Sequence, residues 1–269
     1  MPELPEVEVT RRGLEPQLAG RVISGVAVRE PRLRWPVPKD VHRLAGRKVR
    51  SIQRRGKYLL VDCGDGHLIL HLGMSGSLRV LPAGTPAQKH DHFDLQLGDR
   101  ILRLRDPRRF GAVLWTRADI DTHPLLVHLG IEPLTRELHP QRLHQLTRPH
   151  RTGIKQFLMD GRRIVGVGNI YANESLFLAG LHPRMPARKL SLDKAKKLSA
   201  AIKHTLRAAI RAGGSSLRDF VGADGHRGVF QRRYWAYDRE GQPCRRCRRR
   251  RRSRAGSSRR RGSPRAASA

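Results

Sequence analysis

The stretch that decides the fold is "KYLLVDCGDGHLILHLG", residues 57–73. Two apolar runs flank a short segment of glycine and aspartate, the pattern of strand, tight turn and strand. The same short β-branched or alternating runs recur on either side. They are "RVISGVAVRE" (21–30), "RKVRSIQRR" (47–55), "SLRVL" (77–81), "HFDLQL" (92–97), "RILRLRD" (100–106) and "AVLWTR" (112–117). With "KYLLVDC" and "GHLILHLG" they make eight strands between about residues 20 and 117, separated by Gly, Pro or Asp, the spacing of a β-sandwich or barrel.

On both sides of this region the period becomes helical. Glu6 to Leu18 can form a helix with Val7, Leu14 and Leu18 on one face. From Asp119 onward helices dominate. The clearest spans Ser191 to Arg211, where Leu192, Ala195, Leu198, Ile202, Leu206 and Ile210 keep a three-to-four spacing that the lysines and arginines avoid. Ser191 is placed to cap its start, and Gly213-Gly214 to end it. "PHRTGIKQFLMD" (149–160) and "VGVGNIYANESLFLAG" (165–180) each read as a turn feeding a helix. The glycines before Asn169 let the backbone approach a ligand, and the helix start offers free N–H groups to a phosphate. From Val229, "VFQRRYWAYDREGQPC" reads as a hairpin, and after Cys247 only an Arg-rich mixture without large apolar residues follows, which is expected to be disordered.

Charge bounds the partner. Among 269 residues, 55 Lys and Arg oppose 23 Asp and Glu, a formal +32. Twelve arginines lie from Arg245 onward, and without them the rest of the chain still carries +20. A polyanion is implied, nucleic acid ahead of membrane, because no apolar run approaches the roughly 20 residues that span a bilayer. The start lacks the basic-then-apolar layout of a signal peptide, which points to a cytoplasmic protein. Three cysteines, Cys63, Cys244 and Cys247, are too few for a disulfide scaffold. Cys244 and Cys247 have the spacing of half a zinc site, and Cys63 reads as a buried structural thiol.

The opening "MPELPEVE" carries the chemistry. Met before a residue as small as proline is normally trimmed, which leaves Pro2 with a free secondary amine. An α-amino group titrates near pH 8, so part of it is unprotonated at neutral pH. Such an amine adds to a sugar C1 and loses water to an iminium ion that acidifies the neighbouring carbon. Glu3 and Glu6 stand beside it as proton donors or positioning groups.

In order along the chain, "MPELPEVE" (1–8), "RLRWP" (32–36), "RRGKYLL" (54–60), "HLGMSGSL" (71–78), "KHDH" (89–92), "DPRRFGA" (106–112), "VGVGNIYANESLF" (165–177) and "GQPCRRC" (241–247) resemble the formamidopyrimidine-DNA glycosylase family. The resemblance implies an α+β multidomain protein. Its expected parts are an N-terminal β-sandwich catalytic domain (1–130), a helical helix-two-turn-helix DNA-binding domain (131–228), a partial zinc-finger hairpin (229–247) and an Arg-rich tail (248–269). It further implies a monomer that removes oxidised purines, such as 8-oxoguanine and formamidopyrimidines, from double-stranded DNA. The route is a Schiff base on Pro2, then β- and δ-elimination at the abasic site, in bacterial base-excision repair. "MPELPEVE" with "RLRWP" favours this purine branch over the related endonuclease VIII.

The resemblance also distributes roles. Glu3 matches the family's acid, Glu6 a supporting carboxylate, and Lys57 the hairpin lysine that contacts the lesion's phosphate and assists proton transfer. Met74, Arg109 and Phe110 match the three residues inserted where the base leaves the stack: an apolar filler, a guanidinium for the orphaned cytosine, and a wedge. His90, Arg151, Lys155 and Asn169 match phosphate contacts, and His71 a strand support. The segment 215–228 is expected to include the loop that closes on the flipped base.

Against the family's zinc finger this chain departs. A closed structural zinc site needs four ligands, and after Cys244 and Cys247 no Cys or His follows. Zinc is therefore expected for the family and doubtful here, and the family's arginine for the last elimination has no match. The abrupt change after Cys247 has the look of a shifted reading frame in a GC-rich gene. An alternative follows: a non-catalytic or impaired DNA-binding protein descended from the enzyme, weak in lesion processing and strong in salt-sensitive, non-specific binding.

Overall fold

The computed structural model describes residues 2–215 and 228–249. The closing-loop segment falls outside them apart from its end residues, and the tail from residue 250 lies outside altogether. The architecture is α+β. All eight runs are strands: β1 (Gly25–Val28), β2 (Ser51–Arg55), β3 (Tyr58–Asp62), β4 (His67–His71), β5 (Ser77–Pro82), β6 (Asp91–Gln96), β7 (Arg100–Arg105) and β8 (Ala112–Thr116). They form two four-stranded antiparallel sheets, ordered β1-β6-β7-β5 and β2-β3-β4-β8. Leu59, Val61, Leu68 and Leu70 of one sheet and Phe93, Leu95, Leu102 and Leu104 of the other share one core, so the layers are a sandwich.

The helices are α1 (Leu4–Leu18), α2 (Pro140–Thr147), α3 (Ile154–Met159), α4 (Asn169–Ala179) and α5 (Leu192–Arg211). The Ser191 side chain accepts the Lys194 N–H and caps α5 as expected. The first helix begins two residues before the expected Glu6, because Glu3 is its N-cap and Pro5 suits its first turn. Its apolar side is divided: Val7, Leu14 and Leu18 pack in the sandwich core, whereas Leu4 packs in the second core with Phe157, Tyr171, Leu198, Ile202 and Phe230. One helix thus crosses the seam between the two halves.

The expected hairpin after Val229 is absent among the described residues; a short 3-10 turn, Phe230–Arg233, stands there, followed by further turns. The reason is Glu174, fully buried in α4. Its carboxylate accepts the N–H groups of Trp235 (2.7 Å), Ala236 (2.8 Å) and Tyr237 (2.7 Å), donors a hairpin ladder would have used. Charge-assisted bonds of this kind contribute more than neutral ladder bonds. Glu174→Ala is expected to lower stability by about 2–4 kcal/mol and to open residues 235–237 to protease; an unchanged melting temperature and cleavage pattern would overturn this.

Candidate active site

The centre of the site is the Glu3 carboxylate, 2 % exposed and next in sequence to the buried Pro2. It sits on the N-terminus of α4, accepting the N–H groups of Gly168 (2.7 Å), Ile170 (2.8 Å) and Tyr171 (3.4 Å). A helix start leaves such donors without partners and favours negative charge, so a distant acid can serve as the cap. The fit requires glycine at 168. A Cβ there would lie 2.5 Å from Glu3 Cδ.

Two effects oppose each other at Glu3, and burial prevails. Burial pushes its carboxyl above the ordinary range, while the Lys57 charge and the three N–H donors favour the anion. Lys57 is the second residue of the two-residue turn between β2 and β3. That turn is fixed by Glu132, which accepts the Gly56 N–H (2.6 Å) and a two-point contact from Arg54 (3.1 and 3.0 Å); Arg54 also donates to Glu8 of α1 (3.1 Å). Lys155 in α3 also feels Glu3: burial pulls its ammonium below the usual range, and the Glu3 charge opposes this.

Glu6 forms a second layer. One oxygen accepts the Glu3 N–H (2.9 Å); the other accepts the Tyr171 hydroxyl (2.5 Å) and the Ser215 N–H (2.8 Å). Burial pushes its carboxyl up to about 7, with Tyr171 pulling the other way and the Glu3 charge adding to the rise. Burial and the Glu6 charge in turn hold the Tyr171 phenol well above its usual value. The folded chain therefore keeps the Glu6 proton up to about pH 7, whereas an unfolded chain releases it near 4.5. Between these values the native state binds more protons, so this group's contribution to stability falls as pH rises, by up to roughly 3 kcal/mol. Glu6→Gln is expected to remove that fall. Urea unfolding of both chains at pH 5 and pH 8 checks it, and an identical pH dependence would overturn it.

The three candidate insertion residues occupy two turns packed back to back. Met74 is 39 % exposed and Phe110 43 %, as glycine-flanked turns imply. The two turns meet at Gly73, where a Cβ would run into the Phe110–Gly111 backbone. Asp106, fully buried, ties them together: it accepts from Ser75 Oγ (2.7 Å) in one turn and from Gly111 N (2.7 Å) in the other. Arg109, in the left-handed region at φ 57°, donates to Glu30 (3.0 Å), and the Arg108 guanidinium lies 4.9 Å from the Phe110 ring centre. The His90 carbonyl accepts the Asp106 N–H (3.0 Å), which fastens that residue to the same assembly.

Arg151 and Asn169 are exposed, Arg151 just before α3 and Asn169 as the first residue of α4. Lys155 lines an open groove with Gln156, Met159 and Arg184. His71 is half-buried at the end of β4 and accepts the Gly73 N–H on Nδ1 (3.0 Å); burial and the charges of Arg34 and Lys57 pull it down to about 4, so it is neutral. Cys63 is buried in the sandwich, and burial pushes its thiol up to about 12.

Cys244 and Cys247 lie in a tight turn closed by Cys244 N to Arg249 O (2.9 Å) and Arg248 N to Cys244 O (2.8 Å). The turn is held against α4 by Arg246, which stacks on Phe177 and donates to the Leu178 carbonyl. Among the described residues, no three His, Cys, Asp or Glu side chains lie together in a metal-binding arrangement. Two thiols, with no Cys or His among residues 248–269, are two donors short of a closed zinc site, so the described residues do not fit the ion. No chemical step is drawn through it.

Glu30, Asp106, Glu132 and Tyr171 escaped the sequence reading as site residues. The Asp of "DPRRFGA" and the Tyr of "GNIYANE" stood in motifs already singled out; Glu30 and Glu132 carried no signal.

Comparison with known proteins places this geometry. The chain matches the formamidopyrimidine-DNA glycosylase N-terminal domain over residues 1–113 and the H2TH domain of the same glycosylase over residues 129–221. The formamidopyrimidine-DNA glycosylase of Herminiimonas arsenicoxydans is 55% identical over 251 residues, covering 92% of either chain. That of Methylococcus capsulatus is 54% identical over 249 residues, again 92% of each. Among solved structures, the MutM (Fpg) protein of Thermus thermophilus superposes with a TM-score of 0.84 at 38% identity, covering 92% of this chain and 91% of that one. Lactococcus lactis Fpg, in complex with DNA containing an abasic site, gives 0.83 at 33% identity over 91% of both.

Proposed function

Because the chain belongs to the formamidopyrimidine-DNA glycosylase family, we propose that it is a bifunctional DNA glycosylase and abasic-site lyase that removes oxidised purines from double-stranded DNA through an imine on Pro2. The single observation that carries this reading is the buried Glu3 carboxylate beside Pro2, held on the N-terminus of α4 within the field of Lys57.

A modified purine is inaccessible inside a duplex and must leave the stack, at a cost of a few kcal/mol. The Met74 and Phe110 turns fill the space it vacates, and Arg109 faces the orphaned base. His90, Arg151, Lys155 and Asn169 bind phosphates and hold the duplex in register without reading sequence. With Met1 removed, the Pro2 nitrogen attacks C1′ as the bond to the base breaks, and Glu3 supplies a proton to the sugar or the departing group. The resulting iminium acidifies C2′, so the 3′ phosphate leaves by β-elimination and the 5′ phosphate by δ-elimination. Lys57 steadies the flanking phosphate. Glu6 positions the Pro2–Glu3 peptide through the Glu3 N–H.

All of these groups precede the incomplete finger, and the family match favours the enzyme over the non-catalytic alternative. Among the described residues no helix is long and apolar enough to cross a membrane, in keeping with a DNA-directed role in the cytoplasm. The test is borohydride trapping of the purified chain on an 8-oxoguanine·cytosine duplex and on an abasic duplex. An adduct is expected on both; none on either, with DNA binding intact, would overturn the proposal.

A further inference from the structure

Glu30 is an acid on a strongly basic chain, and it lies where the candidate insertion residues meet. It follows β1, and the loop after it is bonded to the Phe110 turn, since the Arg34 N–H donates to the Gly111 carbonyl (3.1 Å). Its carboxylate is fixed by Arg32, which gives one oxygen its backbone N–H (2.9 Å) and Nε (2.9 Å) and the other its Nη2 (3.1 Å). That second oxygen also receives Arg109 Nη1 at 3.0 Å. Arg109 stands on a left-handed backbone whose N–H is bonded to the Asp106 carbonyl (3.2 Å), so the base of its side chain is not free to move.

We propose that Glu30 is a specificity-determining residue: in the DNA-free protein its carboxylate holds the Arg109 guanidinium that an orphaned cytosine would take up in the complex. The proposal rests on Arg109 being the residue that faces the orphaned base. Glu30 takes up one N–H of the Arg109 guanidinium, and the cytosine edge, with O2 and N3, offers that guanidinium two adjacent acceptors. Adenine presents one acceptor beside an amino donor and is a poorer match. Opposite cytosine, Arg109 exchanges one good partner for another, and the lost Glu30 contact is subtracted from the affinity. Opposite adenine, Arg109 stays on Glu30 and nothing is subtracted. Glu30 therefore narrows the preference for cytosine. Burial has little part in this: the hydrogen bonds from Arg32 hold the Glu30 carboxyl down to about 2, so it is charged at every pH at which the protein works.

The experiment measures the affinity of the full chain for duplexes that carry a tetrahydrofuran abasic analogue opposite dC or dA, a probe that forms no imine. Glu30→Gln is compared with the parent, with and without Arg109→Ala. Glu30→Gln is expected to tighten the dC duplex by about two- to fivefold, the size of one exposed ion pair, and to leave the dA duplex unchanged. The effect is expected to vanish when Arg109 is Ala. Equal tightening on both duplexes, the signature of simple charge removal, sinks this proposal alone, and so does no change on either. If Arg109→Ala in the presence of Glu30 leaves the ratio of dC to dA affinity unaltered, Arg109 does not face the orphaned base, and both readings fall.

Discussion

A chain that keeps Met1 in front of Pro2 is expected to form no borohydride-trapped adduct with either an 8-oxoguanine duplex or an abasic duplex, while it still binds both. The retained methionine converts the Pro2 nitrogen from a secondary amine into a tertiary amide, whose lone pair is delocalised into the carbonyl and cannot attack. Loss of the adduct is therefore complete rather than partial. Met1 is retained by producing the chain without methionine aminopeptidase and verified by intact mass. Lys57 provides the control. If an adduct still forms with Met1 in place, another amine is the nucleophile, the Met1 α-amine or a lysine, and peptide mapping of the trapped species tells them apart.

Glu3→Gln carries the second large effect, and it splits the two halves of the reaction. Gln keeps the shape of the side chain but cannot deliver a proton, and general acid catalysis contributes about 10²–10⁴-fold to a rate. Base release from 8-oxoguanine is expected to fall by that factor. Trapping on a preformed abasic site, where no base has to leave, is expected to fall much less. The amide also brings its own N–H₂ toward the three backbone donors at Gly168, Ile170 and Tyr171, where only acceptors are matched. Melting temperature is therefore measured in parallel. Equal losses on both substrates without a stability change would show that Glu3 serves the iminium chemistry and not base departure.

The strands were legible because period-two patterning and glycine turns are local signals: all eight runs contain a strand, six within two residues of the expected edges, while β1 and β2 start four residues later than their runs. The cap of α5 was legible for the same reason. The segment after Val229 was not, because its backbone donors are taken by Glu174, some sixty residues earlier in the chain. The site divides in the same way. Pro2, Glu3 and Glu6 are neighbours in sequence, and their chemistry can be read from ten residues. The groups that hold the two carboxylates, Gly168, Ile170 and Tyr171, lie about 165 residues away, and no pattern in either segment announces the other. By spacing alone Lys57 is a surface charge at a strand start, and only its resemblance to the family's hairpin lysine singles it out. Glu30 beside Arg109 has no sequence signal at all; a separation of 79 residues is bridged by a loop and a turn bonded back to back.

The division of α1 between two cores bears on how such a gene can be inherited. Leu4 belongs to the helical half and Val7 to the sandwich, with Glu3 and Glu6 on either side of the joint. A recombination event that exchanged everything after residue 130 for the corresponding part of a distant relative would leave Pro2, Glu3, Glu6 and Lys57 untouched. It would nevertheless replace the glycine that makes room for the Glu3 carboxylate, the donors that hold it and the phenol that tunes Glu6. The two halves are thus bound to travel together, or to be exchanged only between genes that agree at residues 166–171 and 215.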